Sequence, residues 1–202
     1  MKEIQEYEKD IASIRTMMER SVKFISLSGL SGVLAGIYAL VGAAVAYSII
    51  YDPNSPLGFV EEKSLGNLIV IASVVLILSL GTGLWLSSRK ATKLGTSIWN
   101  KPSKQLFMDL SIPLVTGGLF IFIMLWRGYF GLVAPGCLLF YGLALIYASR
   151  NTYKEIQYLG FIEIGLGLVA AALPGYGLIL WSIGFGVMHV IYGSIMYFRY
   201  DK

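Results

Sequence analysis

Residues 158–199 read YLGFIEIGLGLVAAALPGYGLILWSIGFGVMHVIYGSIMYFR. Two apolar runs flank Pro174-Gly175-Tyr176, and a Pro-Gly pair is a turn signal. The stretch therefore reads as two membrane-spanning helices, about 158–173 and 177–198, folded back on each other. Each run holds one ionisable residue, Glu163 in the first and His189 in the second. Such a group in a span costs about 2.5–3.5 kcal/mol on insertion scales, so it is expected to face protein or water rather than lipid.

The rest of the chain follows the same composition. Its 202 residues are 56% hydrophobic and only 14% charged, with a mean hydropathy of +0.69. A soluble domain carries about 25% charge. The charges here lie at the borders of apolar runs, and the formal net charge of +4 forms no basic stripe, so no nucleic-acid partner is expected. The single cysteine, Cys137, excludes an intrachain disulfide and a cysteine metal cluster; it reads as a small buried hydrophobe. The first apolar run follows an acidic, charge-balanced segment, which is not a secretory signal. That run is therefore expected to remain as a permanent span.

In residues 2–23, Ile4, Tyr7, Ile11, Ile14 and Met18 recur at three- and four-residue spacing, with Lys and Glu on the other faces. This predicts an amphipathic cytoplasmic helix over 1–23 that runs into the first span. It lies on the inner loops or the membrane surface, or forms a parallel coiled coil with a second copy. The first span, about 24–51, carries Ser28, Gly32, Ala35, Ala39, Ala43 and Ala46 on one face. Small residues in a stripe let helix backbones approach closely. The partner of this Ser28–Ala46 face is either another span or a second copy, so a homo-oligomer through residues 2–23 and this face is one expectation.

Further spans are expected at about 65–87, 105–126 and 129–149. Of sixteen Lys and Arg residues, fourteen fall in the amino-terminal segment, 88–104, 150–157 and the tail. The alternate connections hold only Lys63 and Arg127. This bias places both termini in the cytoplasm. Gly128-Tyr-Phe-Gly-Leu and Gly175-Tyr-Gly-Leu begin two returning segments alike, which suggests repeated hairpins. The resulting fold class is an all-α integral membrane protein, with six transmembrane helices as three sequential hairpins.

Counted from Gly175, Glu163 lies twelve residues back and His189 fourteen on. At about 1.5 Å rise per residue, the two differ in depth by roughly 3 Å. Each also sits on a small-residue seam: Gly160, Gly167 and Ala171 for Glu163, and Ser182, Gly186 and Gly193 for His189. A direct Glu163–His189 hydrogen bond across facing seams is expected. Tyr141 and Tyr192 lie deep enough to join this candidate polar or proton site, or to bond backbone carbonyls instead. Three readings stand for the pair: a clamp that fixes hairpin register, a protonatable site on a proton, ion or solute pathway, and haem or metal ligation by His189. The third has no supporting cysteine or carboxylate cluster, and no metal or cofactor is expected. Asp109 and Arg150 are expected to form a structural ion pair at the inner surface. No phosphate loop, HExxH, nucleophile elbow or dinucleotide fingerprint occurs, so no enzyme is expected.

The segments IEIGLGL, PGYGLI, GFGVMH and IYGSIMYFRY resemble those of six-span bacterial inner-membrane proteins of the Bacteroidota type. The likeness covers most of the chain and is strongest from Asp109 onward. It implies a six-span fold in a bacterial inner membrane and carries over no site residue. The two-span plan is also distantly similar to that of acid-resistance membrane proteins with two-span repeats. Two functions follow as expectations: a small transporter or channel-like protein with a proton-sensitive Glu-His pair, or a non-catalytic scaffold or regulatory subunit that self-associates. The lipid bilayer is the partner common to both.

Overall fold

The computed structural model describes residues 27–50, 62–95, 97 and 99–202. The expected amphipathic helix over residues 1–23, and any self-association through 2–23, lie outside the described residues. The chain folds into α1 (Gly29–Ile50), α2 (Glu62–Lys93), α3 (Lys101–Trp126), α4 (Val133–Ala148), α5 (Glu155–Ala172), α6 (Gly177–Trp181) and α7 (His189–Tyr200). Short 3₁₀ turns precede and follow α4, and a π-helical segment, Ser182–Met188, joins α6 to α7. Among the described residues there are no strands, and six helical stretches are long and apolar enough to cross a membrane. The last of these is α6, the π segment and α7 taken together, Gly177–Tyr200. The shortest, Glu155–Ala172, has 18 residues, about 27 Å of helix, close to the hydrocarbon thickness of a bilayer.

Local chemistry sets several element ends. Asn100 opens α3 with a reciprocal cap: its Oδ1 accepts from the Ser103 N–H at 2.9 Å, and its own N–H donates to Ser103 Oγ at 3.0 Å. Gly128 and Gly175 have φ of +78° and +95° at the turns after α3 and α5, a conformation open to residues without a Cβ. Hydroxyls inside the apolar helices are satisfied at home; Ser73 donates to Ile69 O and Thr116 to Ile112 O.

Packing runs through glycine. A Cβ on Gly142 of α4 would stand 2.7 Å from Gly160 O, and one on Gly160 of α5 would stand 2.8 Å from Gly142 O. The two backbones therefore touch, and van der Waals contact replaces the hydrophobic drive that lipid removes. The stripe on α1 has a similar role. Gly32 packs on the Cα of Gly193, and a Cβ on Gly36 would meet Gly186 O at 2.7 Å. Ala39, Ala43 and Ala46 are buried on the same helix. The Ser28–Ala46 face is thus taken up inside the chain, chiefly by the sixth span. Large apolar side chains instead cover the outside, as with Ile77 at 68% exposure and Trp126 at 81%, the expected surface toward lipid.

One end of the bundle is held by polar contacts. Asp201 accepts from Gly29 N at 2.8 Å and Ser28 Oγ at 3.1 Å, so a residue beyond α7 caps the start of α1. Lys90, near the end of α2, bonds Asp201 Oδ1 at 2.6 Å and Leu27 O at 2.9 Å. Beside it, Glu155 accepts from Arg199 at 2.7 Å and from Tyr200 at 2.8 Å, and the Tyr153 ring stacks on Tyr200 at 4.2 Å. These residues define the Asp201 end of the bundle; the Gly128 and Gly175 turns define the other.

Candidate functional site

The buried face of α5 is Ile156, Leu159, Gly160, Glu163, Gly167 and Ala170. Its glycines press against α4, at Gly142 for Gly160 and at Leu138 and Leu139 for Gly167. Glu163 thereby enters the junction of α4, α5 and the sixth span, where its relative exposure is 0%. The glycine seam of the sixth span points elsewhere: Gly186 meets Leu40, and Gly193 meets Gly29 and Val33, all on α1. The two seams do not face one another, contrary to the sequence reading. Helix rotation explains the difference: the sixth span, lying between α1 and the α4–α5 pair, turns Gly186 and Gly193 toward α1 and reaches toward α4 and α5 at Gly184 and His189.

The π segment prepares that reach. A π turn bonds i to i+5 and so alters which carbonyls the helix ladder uses. The Gly184 carbonyl accepts from the His189 ring at Nδ1, 3.0 Å away. A carbonyl cannot donate, so Nδ1 carries the hydrogen, and Nε2 is then the acceptor for the Tyr141 hydroxyl at 2.8 Å. Both ring nitrogens are engaged within the chain. Glu163 Oε1 stands 3.5 Å from His189 Nδ1, in contact range of a charged pair but too long for a good hydrogen bond. The expected Glu163–His189 hydrogen bond is not formed; the π turn presents Gly184 O to the same nitrogen at shorter range.

Neither oxygen of Glu163 finds a hydrogen-bond partner among the described residues. Its carboxyl lies against the Cα of Gly184, where a Cβ would collide with Oε2 and stand 2.6 Å from Leu138 Cδ2. The acid is thus fully enclosed, with the imidazole in charged-pair range and no hydrogen bond among the described residues. Buried polar groups are nearly always hydrogen-bonded, so each exception asks for a reason. Around the ring, Trp181, Phe185 and His189 follow one another at four-residue steps and stack at 5.1 and 5.7 Å between centroids. Tyr141 adds its own ring at 4.8 Å from Phe185.

Tyr192 stands apart from this contact set. Its hydroxyl is buried and has no hydrogen-bond partner among the described residues, while its ring packs with Tyr141 on the cluster of Leu145, Ile156 and Leu159. The Asp109–Arg150 pair also needs correction. Asp109, 5% exposed, accepts from Gln105 Nε2 at 2.9 Å and from the side-chain amide of Asn151. Arg150 is exposed, with its guanidinium 5.4 Å from the centre of the Tyr147 ring. The 3₁₀ turn Ser149–Asn151 is the cause: it carries Arg150 outward and turns its neighbour in. Sequence reading also passed over Gly184, Phe185 and Trp181. The four-residue step from Trp181 to His189 was the signal available for the two aromatics.

Two surface grooves lie away from the acid. One, of about 340 Å³, is bordered by Leu40, Ala43, Ala44, Tyr47, Leu178, Ile179 and Ser182; the other, of about 290 Å³, by Ile123, Trp126 and Arg127. Glu163 borders neither. The fold and site together define a polytopic helical membrane protein with an enclosed Glu–His–Tyr cluster. No protein-family model, curated protein or solved structure matches the chain.

Proposed function

We propose that this chain is a small transporter or channel-like protein of the bacterial inner membrane, with Glu163 and His189 as its proton-sensitive site. One observation carries the reading: Glu163 has 0% exposure and no hydrogen-bond partner for either oxygen among the described residues. A clamp that served only to fix helix register would satisfy its buried acid, since half-satisfied polar groups weaken a core. An acid left without a hydrogen bond beside a histidine is suited to gain and lose a proton, and ionisable groups inside spans mark proton and ion pathways. The six spans are read as three sequential hairpins with both termini cytoplasmic, following the distribution of Lys and Arg. The resemblance to Bacteroidota-type six-span proteins supports the choice of membrane.

The test is proton flux in vesicles containing the purified protein and an internal pH indicator. Flux above that of empty vesicles is expected, and Glu163→Gln and His189→Ala should each reduce it to that background. Flux unchanged in both variants removes the site. A second reading has one observation in its favour: the acid borders neither groove. In that reading the protein is a non-catalytic scaffold or regulatory subunit that self-associates through residues 2–23. Cross-linking between copies within 4–18, without any flux, is its expected result.

A further inference from the structure

The polar groups around Glu163 are distributed unevenly along the bundle. From the cluster toward the Gly175 turn, residues 164–172 of α5 are all apolar or glycine. Over the same depth, residues 133–140 of α4 add only Cys137, and 177–188 of the sixth span add only Trp181 and Ser182. The Ser182 hydroxyl is already committed to Ile179 O at 2.7 Å. Toward the Asp201 end the picture changes. His189 bonds Tyr141, and the ring of Tyr192 packs on the same apolar cluster as Tyr141. Tyr192 lies about one helical turn beyond His189 toward the Asp201 end and eight residues before Tyr200 on the same helix. Tyr141 in turn leads to Glu163 through the His189 ring, whose Nδ1 stands 3.5 Å from Oε1. Glu155 already holds Tyr200 and Arg199 at the rim, eight residues and about 12 Å of helix from Glu163.

We infer that, in the conformation seen here, the buried acid communicates with one aqueous face, through a hydroxyl relay that runs from Glu155 and Tyr200 by way of Tyr192, Tyr141 and His189 to Glu163. The inference rests on reading Glu163 and His189 as a proton-sensitive site and adds the side from which the proton comes. Tyr192 is the hinge of the argument, because its enclosed hydroxyl has no other partner among the described residues. Leu145, Ile156 and Leu159 form the apolar cluster on which both phenol rings pack, and the relay crosses the two steps without a direct hydrogen bond, from the rim to Tyr192 and from Tyr192 to Tyr141, through water. The transfer balances. A proton from the aqueous phase reaches Tyr192 oxygen through water as the Tyr192 O–H proton leaves toward Tyr141. Tyr141 passes its own proton to His189 Nε2, and the Nδ1 proton leaves Gly184 O for Glu163 Oε1 as the carboxyl closes the 3.5 Å gap. One carboxylate becomes one carboxylic acid, both phenols end as they began, and the imidazole exchanges one neutral tautomer for the other. The titratable groups along the path are Glu155, Tyr153, Tyr200, Tyr192, Tyr141, His189 and Glu163. Arg199, Lys90 and Asp201 stand at its mouth, and Cys137 lies on the opposite side.

The experiment uses the full chain in vesicles of known orientation and follows the carboxylic-acid C=O band of Glu163 by time-resolved infrared spectroscopy. Loss of the band in Glu163→Gln assigns it. An acid step on the face carrying the Asp201 end should protonate Glu163 promptly, and the same step on the other face should not. Tyr192→Phe should slow the response about a hundredfold, as for loss of one positioned proton-transfer group, while leaving its equilibrium midpoint in place. Glu155→Gln should slow it in the same direction by a smaller factor. A Tyr192→Phe rate equal to the parent rate, or a faster response from the Gly175 face, overturns the relay and leaves the proton-sensitive site standing. A Glu163 band that never responds from either face overturns both.

Discussion

The bundle holds its carboxylates in two contrasting ways. At the Asp201 end each acid is surrounded by donors: Asp201 by Lys90, Ser28 and Gly29 N, Glu155 by Arg199 and Tyr200, and Asp109 by Gln105 and Asn151. In the middle of the bundle, Glu163 has a histidine at 3.5 Å and no hydrogen bond among the described residues. The first arrangement joins helix ends and contributes stability. On the proposed reading, the second contributes little stability and leaves a proton site poised. Variants at the two regions should therefore separate stability from activity.

The largest effect is expected where the regions share a backbone constraint. Gly184→Ala would push a methyl into the Glu163 carboxyl and Leu138, and should lower stability by about 2–3 kcal/mol in detergent unfolding. A smaller but clear loss, about 1–2 kcal/mol, is expected for Asp201→Ala, which removes the cap of α1 and strands the ammonium of Lys90. Glu163→Met should reverse the sign, leaving stability unchanged or raising it by about 1 kcal/mol while abolishing proton flux. A loss of about 2 kcal/mol there would place Glu163 with the structural acids and dissolve the contrast. Arg199→Ala should cost no more than about 0.5 kcal/mol, because that side chain is 64% exposed.

The least effect at neutral pH belongs to Tyr153, whose contribution emerges only in alkali. Partial burial, with Asp201, Tyr200 and Glu155 nearby, pushes its phenol up from 10 to about 12. The unfolded chain gives up this proton first, so the stabilisation is complete below pH 10 and fades as pH rises toward about 12. The melting temperature of the parent should fall more steeply across that interval than that of Tyr153→Phe.

Much of this contrast is written in the chain, but unevenly. The six apolar stretches are legible because lipid demands length and low charge, and both can be counted. The shared depth of Glu163 and His189 is legible for the same reason: helical rise is nearly constant. Rotation is harder to read, since each residue turns a helix by about 100° and a single irregular turn resets everything after it. The π segment made such a change, giving the Nδ1 hydrogen to Gly184 rather than to Glu163. Tyr141 and Tyr192 look equivalent in sequence, yet only the first meets the imidazole. The 3₁₀ turn at Ser149–Asn151 exchanged Arg150 for Asn151 beside Asp109. The capping of α1 by Asp201 joins residues 172 apart and had no local pattern to announce it.

The seven residues Ser182–Met188 hold more chain per turn than the helices they connect. Rewinding these residues to ordinary α winding, at about 100° per residue in place of the smaller π step, would spin α7 by roughly a third of a turn relative to α6. The imidazole would leave the acid, and the glycines that dock on α1 would leave their seat. That one coil therefore sets the phase of the far half of the last span about its own axis, and with it whether the imidazole stands beside the buried acid.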